Sequence, residues 1–240
     1  MAAHETLEDA FVLHRIPYRD TSLLVDFLGR SSGRVRAVAR GARQIRSRQR
    51  SNLQPFQPLL VSFAGRGELQ TLRQAEPAGA SLQLQSARLF SGMYLNELLV
   101  RLLPYFQSCP DLYDHYRLAL QQLHDGMAIE QVLRAFEYRL LAELGYGLDL
   151  HHEADSGAAI VAGQRYHFRA QQGLVAAGEI RANADDPVYQ GEDILAIREF
   201  DLDSPAVARS AKQLFRAALQ VHLGSRPLHS RRLFPGARQR

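Results

Sequence analysis

The chain has 240 residues, 46% hydrophobic and 22% charged, with a formal net charge of +4, a composition that excludes a disordered or collagen-like chain and sets a prior of one to three domains. Cys109 is the only cysteine, which excludes an intrachain disulfide and a cysteine-based zinc site. No stretch approaches the roughly 20 apolar residues of a membrane span, and the opening MAAHETLEDAF carries acids and no apolar run, so a soluble cytoplasmic protein without a signal peptide is expected.

From Ala10 to about Glu76 the pattern is one of short strands. Ala10 to Ile16 is an apolar run that Pro17 limits, and Thr21 to Leu28 is a second run. Ser31-Ser32-Gly33 supplies turn chemistry and joins the second run to a third as a hairpin. In Arg34-Val35-Arg36-Ala37-Val38-Ala39-Arg40, side chains of a strand alternate between faces. Val35, Ala37 and Ala39 then face a core, and Arg34, Arg36 and Arg40 share the other face with Val38. After Gly41 the arginines continue as Arg43, Arg46, Arg48 and Arg50, while only Ile45 is apolar before Leu53, so a loop is expected there. Leu59 to Phe63 is a fourth strand, Gly65-Arg66-Gly67 a turn, and Leu69 to Ala75 a fifth strand. Five short strands fit a small closed barrel, of which the OB-fold is the commonest; an SH3-like barrel fits the pattern too.

No Asp or Glu occurs between Asp26 and Glu68. A basic strand face feeding a basic loop concentrates positive field and suits a polyanion; the bland alternative is a solvated charged face. Lys212 is the only lysine, so arginine identity alone is weak evidence for bidentate phosphate recognition. No obvious stacking aromatic stands beside the arginines: Tyr18 and Phe56 are candidates, and both read more naturally as core.

Pro77 to Gly79 marks a boundary, and from Ser81 the period turns helical. The first helix, with Leu89, Met93, Leu95, Leu98 and Leu102, is apolar all round and reads as central. Pro104 ends it. A second helix, capped by Asp111, carries Leu112, Tyr116, Leu120 and Leu123; a third runs from about Ile129 to Leu144 and stops at Gly145-Tyr146-Gly147. The polar, Gly-rich segment from Asp149 to Gly178 allows small strands at Ile160-Val161 and Tyr166-His167-Phe168. Ser204-Pro205 opens a strong helix that Gly224 stops, and the last residues read as a frayed basic tail.

Enzymatic readings find few parts. There is no Gly-Lys-Ser/Thr loop, because the only lysine follows Ala211, and no cluster of acids suited to two metals. His151-His152-Glu153 and Asp155 resemble metal ligands superficially, but adjacent residues rarely converge on one ion, so no metal site is expected. Cys109 has no partnered base in view.

The ordered motifs Ala-Phe-Val-Leu-His (10–14), Ser-Gly-Arg-Val-Arg (32–36), Arg-Gly-Ala-Arg (40–43), Leu-Gln-Pro-Phe (53–56), Gly-Arg-Gly-Glu (65–68), Tyr-Leu-Asn-Glu-Leu-Leu (94–99), Leu-Gly-Tyr-Gly (144–147) and Ser-Arg-Arg-Leu-Phe (230–234) resemble the bacterial recombination mediator family RecO, in its gamma-proteobacterial branch. The resemblance covers nearly the whole chain. It implies an α+β protein: an N-terminal five-stranded OB-fold barrel, then a helical domain with a small irregular β insertion. The corresponding boundaries are 1–78 for the barrel, 79–148 for the helical domain, 149–200 for an irregular zinc-finger-like segment, 201–234 for a C-terminal helix packing on the helical domain, and 235–240 for a flexible tail. Many relatives carry four zinc-binding cysteines after the Leu-Gly-Tyr helix; this chain has none there, so neither zinc nor any other cofactor is expected.

The function so implied is non-enzymatic. Such a protein binds single- and double-stranded DNA, anneals complementary strands, and with RecR helps RecA load onto DNA coated with single-strand-binding protein. The expected DNA contacts are Arg34, Arg36, Arg40, Arg43, Arg46, Arg48, Arg50 and Arg66, with Lys212, Arg216, Arg231 and Arg232 as further contacts. Arg134 is expected to meet the acidic C-terminal tail of single-strand-binding protein, by resemblance, from a helix whose Val132 and Phe136 face the core. The rivals are an OB-fold RNA-binding factor, which would prefer ribose, and a metal-dependent nuclease, which would degrade DNA with magnesium.

Overall fold

Alternation closes the N-terminal strands into a barrel. In this computed structural model, which describes residues 7–178 and 187–233, β1 (Glu8–Tyr18), β2 (Ser22–Gly29), β3 (Gly33–Ala39), β4 (Leu59–Ala64) and β5 (Leu69–Pro77) form a closed barrel of order β1-β2-β3-β5-β4. All neighbouring pairs are antiparallel except β3 and β5. This is the expected OB-fold. Val12, Val25, Phe27, Ala37, Val61 and Leu72 fill its interior, and Phe27 meets Phe63 edge-on at 5.2 Å between ring centroids.

Two strand limits differ from expectation. Pro17 does not end β1: it pairs with Leu23 of β2, while β4 pairs only with Glu8–Ala10, so proline sits on an edge that lacks a second neighbour. The arginine loop also holds a five-residue helix, α1 (Arg48–Asn52), with no buried residue of its own; the fully buried Leu53 anchors its end.

Ala10, Phe11, Val12 and Leu13 are all buried, because helices cover the outer face of β1. These are α2 (Ser86–Leu102) and α3 (Pro110–His124). α2 begins later than the period suggests. Leu82 lies in an extended stretch whose backbone N–H donates to Phe56 O, and Leu84 packs on Gly92 beside the buried Phe56. α3 is capped by Cys109, with Pro110 as its first residue, so Asp111 serves the first turn and not the cap.

A bulge near Leu13 shifts the β1–β2 register between Val12 and His14. The Leu13 carbonyl is met by Asn96 Nδ2 of α2 at 2.9 Å, and Asn96 Oδ1 accepts from the Tyr116 hydroxyl of α3 at 2.5 Å. Phe11 lies edge-on to Tyr116. One amide thus ties a barrel strand to two helices.

The chain divides into two compact units. The described part of the first is residues 7–126 with 228–233; that of the second is 127–178 with 187–227. The barrel closes at Pro77, near the expected boundary, yet α2 and α3 belong to the barrel's unit. The return to the first unit ends in a 3-10 turn, Ser230–Leu233, held by Glu97 of α2, which accepts from the His229 and Ser230 backbone N–H groups at 2.8 Å each and from the Ser230 hydroxyl at 2.6 Å. Burial pushes the Glu97 carboxyl up, and these three donors together hold it below the usual glutamate range.

The second unit holds α4 (Ile129–Glu143), a three-stranded sheet of β6 (Arg165–Arg169), β7 (Gly173–Ala176) and β8 (Val188–Gln190), α5 (Gly191–Arg198) and α6 (Pro205–Leu223). After α4, Gly145 takes φ +81°, its N–H donates to Ala142 O and that of Tyr146 to Leu141 O, a Schellman closure. Ser204 and Gly224 bound α6 as expected. Ile160-Val161 forms no strand, and β7, β8 and α5 were not anticipated. The expected tail, 235–240, and residues 179–186 of the expected irregular segment lie outside the described residues. Among the described residues no helix is long and apolar enough to cross a membrane.

Asn96→Ala leaves the buried Leu13 carbonyl without this donor and takes an acceptor from Tyr116; it should cost about 2–3 kcal/mol, read from urea unfolding. Because the folded Glu97 pKa is depressed, its contribution is present above the unfolded value of about 4.3 and is lost as pH falls through the folded value. Proteolysis of the exposed 224–227 connection should therefore accelerate in that acidic window, and Glu97→Gln should abolish the added acceleration.

Candidate nucleic-acid interface

The inward half of β3 is as expected: Val35, Ala37 and Ala39 are buried. The outward half is not all solvent-facing. Asp26 on β2 pairs across the ladder with Arg36 and is only 3% exposed. Arg36 donates to it through Nε at 3.1 Å and Nη2 at 2.8 Å, a bidentate pair that raises the Arg36 pKa. Arg34 reaches the same carboxylate at 3.3 Å, the Leu103 carbonyl at 3.0 Å and the Tyr105 hydroxyl at 2.8 Å, and its guanidinium lies 4.2 Å from the Tyr105 ring centroid. At 8% exposure Arg34 does not stand on an open face as expected. Period two assigns a side chain to a face; it does not say what covers that face. Arg36 keeps 37% of its side chain exposed.

Beyond β3 the arginines stand in the open. Arg40, Arg43, Arg46, Arg48 and Arg50 are all exposed, and Ile45 between them is 91% exposed. The loop is nevertheless anchored. Ala42 is fully buried, the Arg43 N–H donates to Thr21 O at 2.8 Å, and the Arg43 guanidinium reaches the Arg19 and Asp20 carbonyls. These bonds join the loop after β3 to the β1–β2 turn. The join brings in two arginines that the sequence reading did not single out. Arg19 lies over Tyr18, and Arg15 donates to Leu53 O and Gln54 Oε1. Burial, then the nearby Arg50, lowers the Arg15 pKa. Like charges thus crowd this end of the barrel, and a polyanion relieves that repulsion.

Arg66 lies elsewhere. β3 and β5 run parallel with Arg36 opposite Leu69, so the turn before β5 sits at the end where β3 begins, away from the loop that follows β3. Lys212 and Arg216 are exposed on α6 in the second unit, Lys212 bonding Glu130 at 3.2 Å; Arg231 and Arg232 belong to the first.

Arg134 is 5% exposed, 3.0 Å from Glu137, itself 1% exposed, and over the Phe215 ring at 5.9 Å. The α4 stripe therefore buries Arg134 beside Val132 and Phe136 instead of turning it outward as expected. The cavity of about 870 Å³ between the Gly145–Asp149 segment, the β6–β7 region and α6 contains Tyr146 stacked on His222 and the carboxylates of Asp149 and Glu153, with no Arg or Lys in its lining, a poor match for an acidic peptide. His152 bonds Asp149, Glu153 accepts from the Ala176 N–H, and Asp155 pairs with Arg169. Among the described residues no three of His, Cys, Asp and Glu gather to hold a metal.

A closed barrel of this order defines the OB-fold class, here with exposed arginines crowding one end. The comparisons narrow that class. Residues 1–80 match the model of the recombination protein O N terminal and residues 83–232 that of the C terminal. The DNA repair protein RecO of Actinobacillus succinogenes is 43% identical over 232 residues, 97% of this chain and 96% of the relative; that of Methylococcus capsulatus is 45% identical over 228 residues, 95% and 92%. The chain belongs to the RecO family of DNA repair proteins.

Arg134→Ala leaves Glu137 buried without its cation and should destabilise the protein by about 3–5 kcal/mol. The double change Arg134→Met with Glu137→Leu should recover most of that loss in thermal unfolding.

Proposed function

We propose that the protein is a non-enzymatic recombination mediator that holds DNA at the cationic end of its barrel. There it anneals complementary single strands, and it helps load recombinase onto strands coated with single-strand-binding protein. The observation that carries the reading is the anchored loop with exposed Arg40, Arg43, Arg46, Arg48 and Arg50, joined by Arg15 and Arg19. Contacts of this kind neutralise phosphates without reading bases, which suits a repair protein that meets any sequence. Arg36 and Arg66 extend the track along β3, and Arg231 and Arg232 are further contacts; Arg34 supports it from within. The family membership supports the rest: single- and double-stranded DNA as ligands, RecR and RecA as functional partners, and work in the cytoplasm at the nucleoid. The acidic tail of single-strand-binding protein is assigned to the second unit, on exposed cations such as Lys212 and Arg216 in place of Arg134.

Binding of single strands should weaken with salt along a log–log slope near about −0.7 per neutralised phosphate. Changing Arg43, Arg46, Arg48 and Arg50 together to alanine should shrink that slope by up to about 3 with an unchanged circular-dichroism spectrum. An unchanged slope would move the DNA site away from the loop.

A further inference from the structure

The connection between α2 and α3 presents an aromatic ring in an unusual way. Phe106 is 44% exposed and its backbone sits at φ +61°, a left-handed conformation that a bulky residue rarely adopts and that persists where surroundings enforce it. The enforcing contacts are visible. The Phe106 N–H donates to Arg34 O at 2.9 Å, Arg34 itself grips the Leu103 carbonyl and the Tyr105 hydroxyl, and Gly33 admits the Gln107 carbonyl so closely that a Cβ there would lie 1.8 Å from it. The backbone that carries the ring is thus clamped, and the ring is left partly exposed. Its centroid is 6.3 Å from that of Tyr105, whose ring lies 5.4 Å from the Arg36 guanidinium. Beside it lies a recess of about 320 Å³ bounded by Phe106, Gly67, Glu68 and Gln70, immediately after Arg66 in the chain.

We propose that Phe106 is a base-stacking subsite for single-stranded nucleic acid, seating one nucleobase on its ring with the base edge in this recess. The inference rests on the DNA-binding reading above and extends it to a contact outside the barrel strands. The chemistry selects a base over a phosphate. The recess offers an aromatic face in an almost wholly apolar lining, which suits the flat face of a base and gives a phosphate no donor. Arg36, close to the Tyr105 ring, and Arg66, the chain neighbour of Gly67 in the recess, would serve the phosphates of the seated nucleotide. Every base has a π-face, so such a subsite adds affinity with little sequence preference. The arginine loop would grip the strand by charge at one end of β3, and Phe106 would hold a base at the other.

The test compares the parent with Phe106→Ala, Phe106→Leu and Phe106→Trp, using a short single-stranded oligonucleotide and an abasic strand of equal length and charge. Phe106→Ala and Phe106→Leu should each weaken binding to the normal strand about ten-fold or more. Both should retain the parent's salt slope and its affinity for the abasic strand. Phe106→Trp should bind the normal strand at least as well as the parent. A 2-aminopurine at the seated position should be quenched by the parent and by Phe106→Trp, and not by Phe106→Leu. If the parent binds with the expected salt slope while Phe106→Ala and Phe106→Leu match it on both strands, the stacking subsite is refuted and the cationic-end reading stands. If the parent shows no salt-dependent binding, both readings fall. Equal weakening on normal and abasic strands would also overturn the subsite, since the loss would then not involve a base.

Discussion

The Asp26 carboxylate is the contact on which the first unit turns. A buried carboxylate is tolerable only when charge and hydrogen bonds replace the water it has lost. Here Arg36 closes on it bidentately and Arg34 completes the cluster. Arg34 is then left with donors to spare, and it uses them on the segment that follows α2. A pairing between two barrel strands is thereby converted into a seat for the helices. Removing Asp26 would leave two cations side by side without their acid, while removing Arg34 would unseat the connection and leave the acid to Arg36 alone. Gly33 belongs to the same device, because the Gln107 backbone occupies the space a side chain would need.

The same residue type does opposite work within one short stretch, from Arg34 to Arg50. On β3 one buried carboxylate answers two guanidiniums, so Arg34 is held inside while Arg36 keeps part of its side chain and a share of the remaining charge in solvent. In the loop after β3 no carboxylate among the described residues pairs with the arginines, and the side chains project from an anchored backbone. That contrast turns a modest net charge into a local attraction for polyanions. The anchoring matters as much as the charge. A floppy basic loop would lose entropy on ordering against DNA, whereas Ala42 and the bonds to the β1–β2 turn have fixed much of this one in advance.

How much of this could be read from the chain depended on whether the signal was local. Short apolar runs between turn signals, with alternation on β3, located all five barrel strands, and Ser204-Pro205 with Gly224 bounded α6, because runs, periods and caps are properties of neighbouring residues. The failures are non-local. Pro17 reads as a strand end unless it is known that β4 has already left that edge. α5 is a short helix beyond a polar segment, with too few turns to show a period. Arg34 and Arg134 both read as exposed, and both are buried against acids that lie on another strand or one helical turn away. Asp26 carried a usable hint, as the last acid before the long acid-free stretch. Nothing in the residues around Phe106 announces its held backbone, since the clamp comes from β3.

Glu97 has a consequence for the order in which the chain is made. Its three donors lie on His229 and Ser230, more than a hundred residues downstream, while the intervening chain builds the second unit. During synthesis the barrel and its two helices leave the ribosome with this carboxylate still hydrated, and the second unit must be threaded out before the closing turn arrives. The first unit is therefore begun early and finished last. Its final contact reports that everything between has been translated.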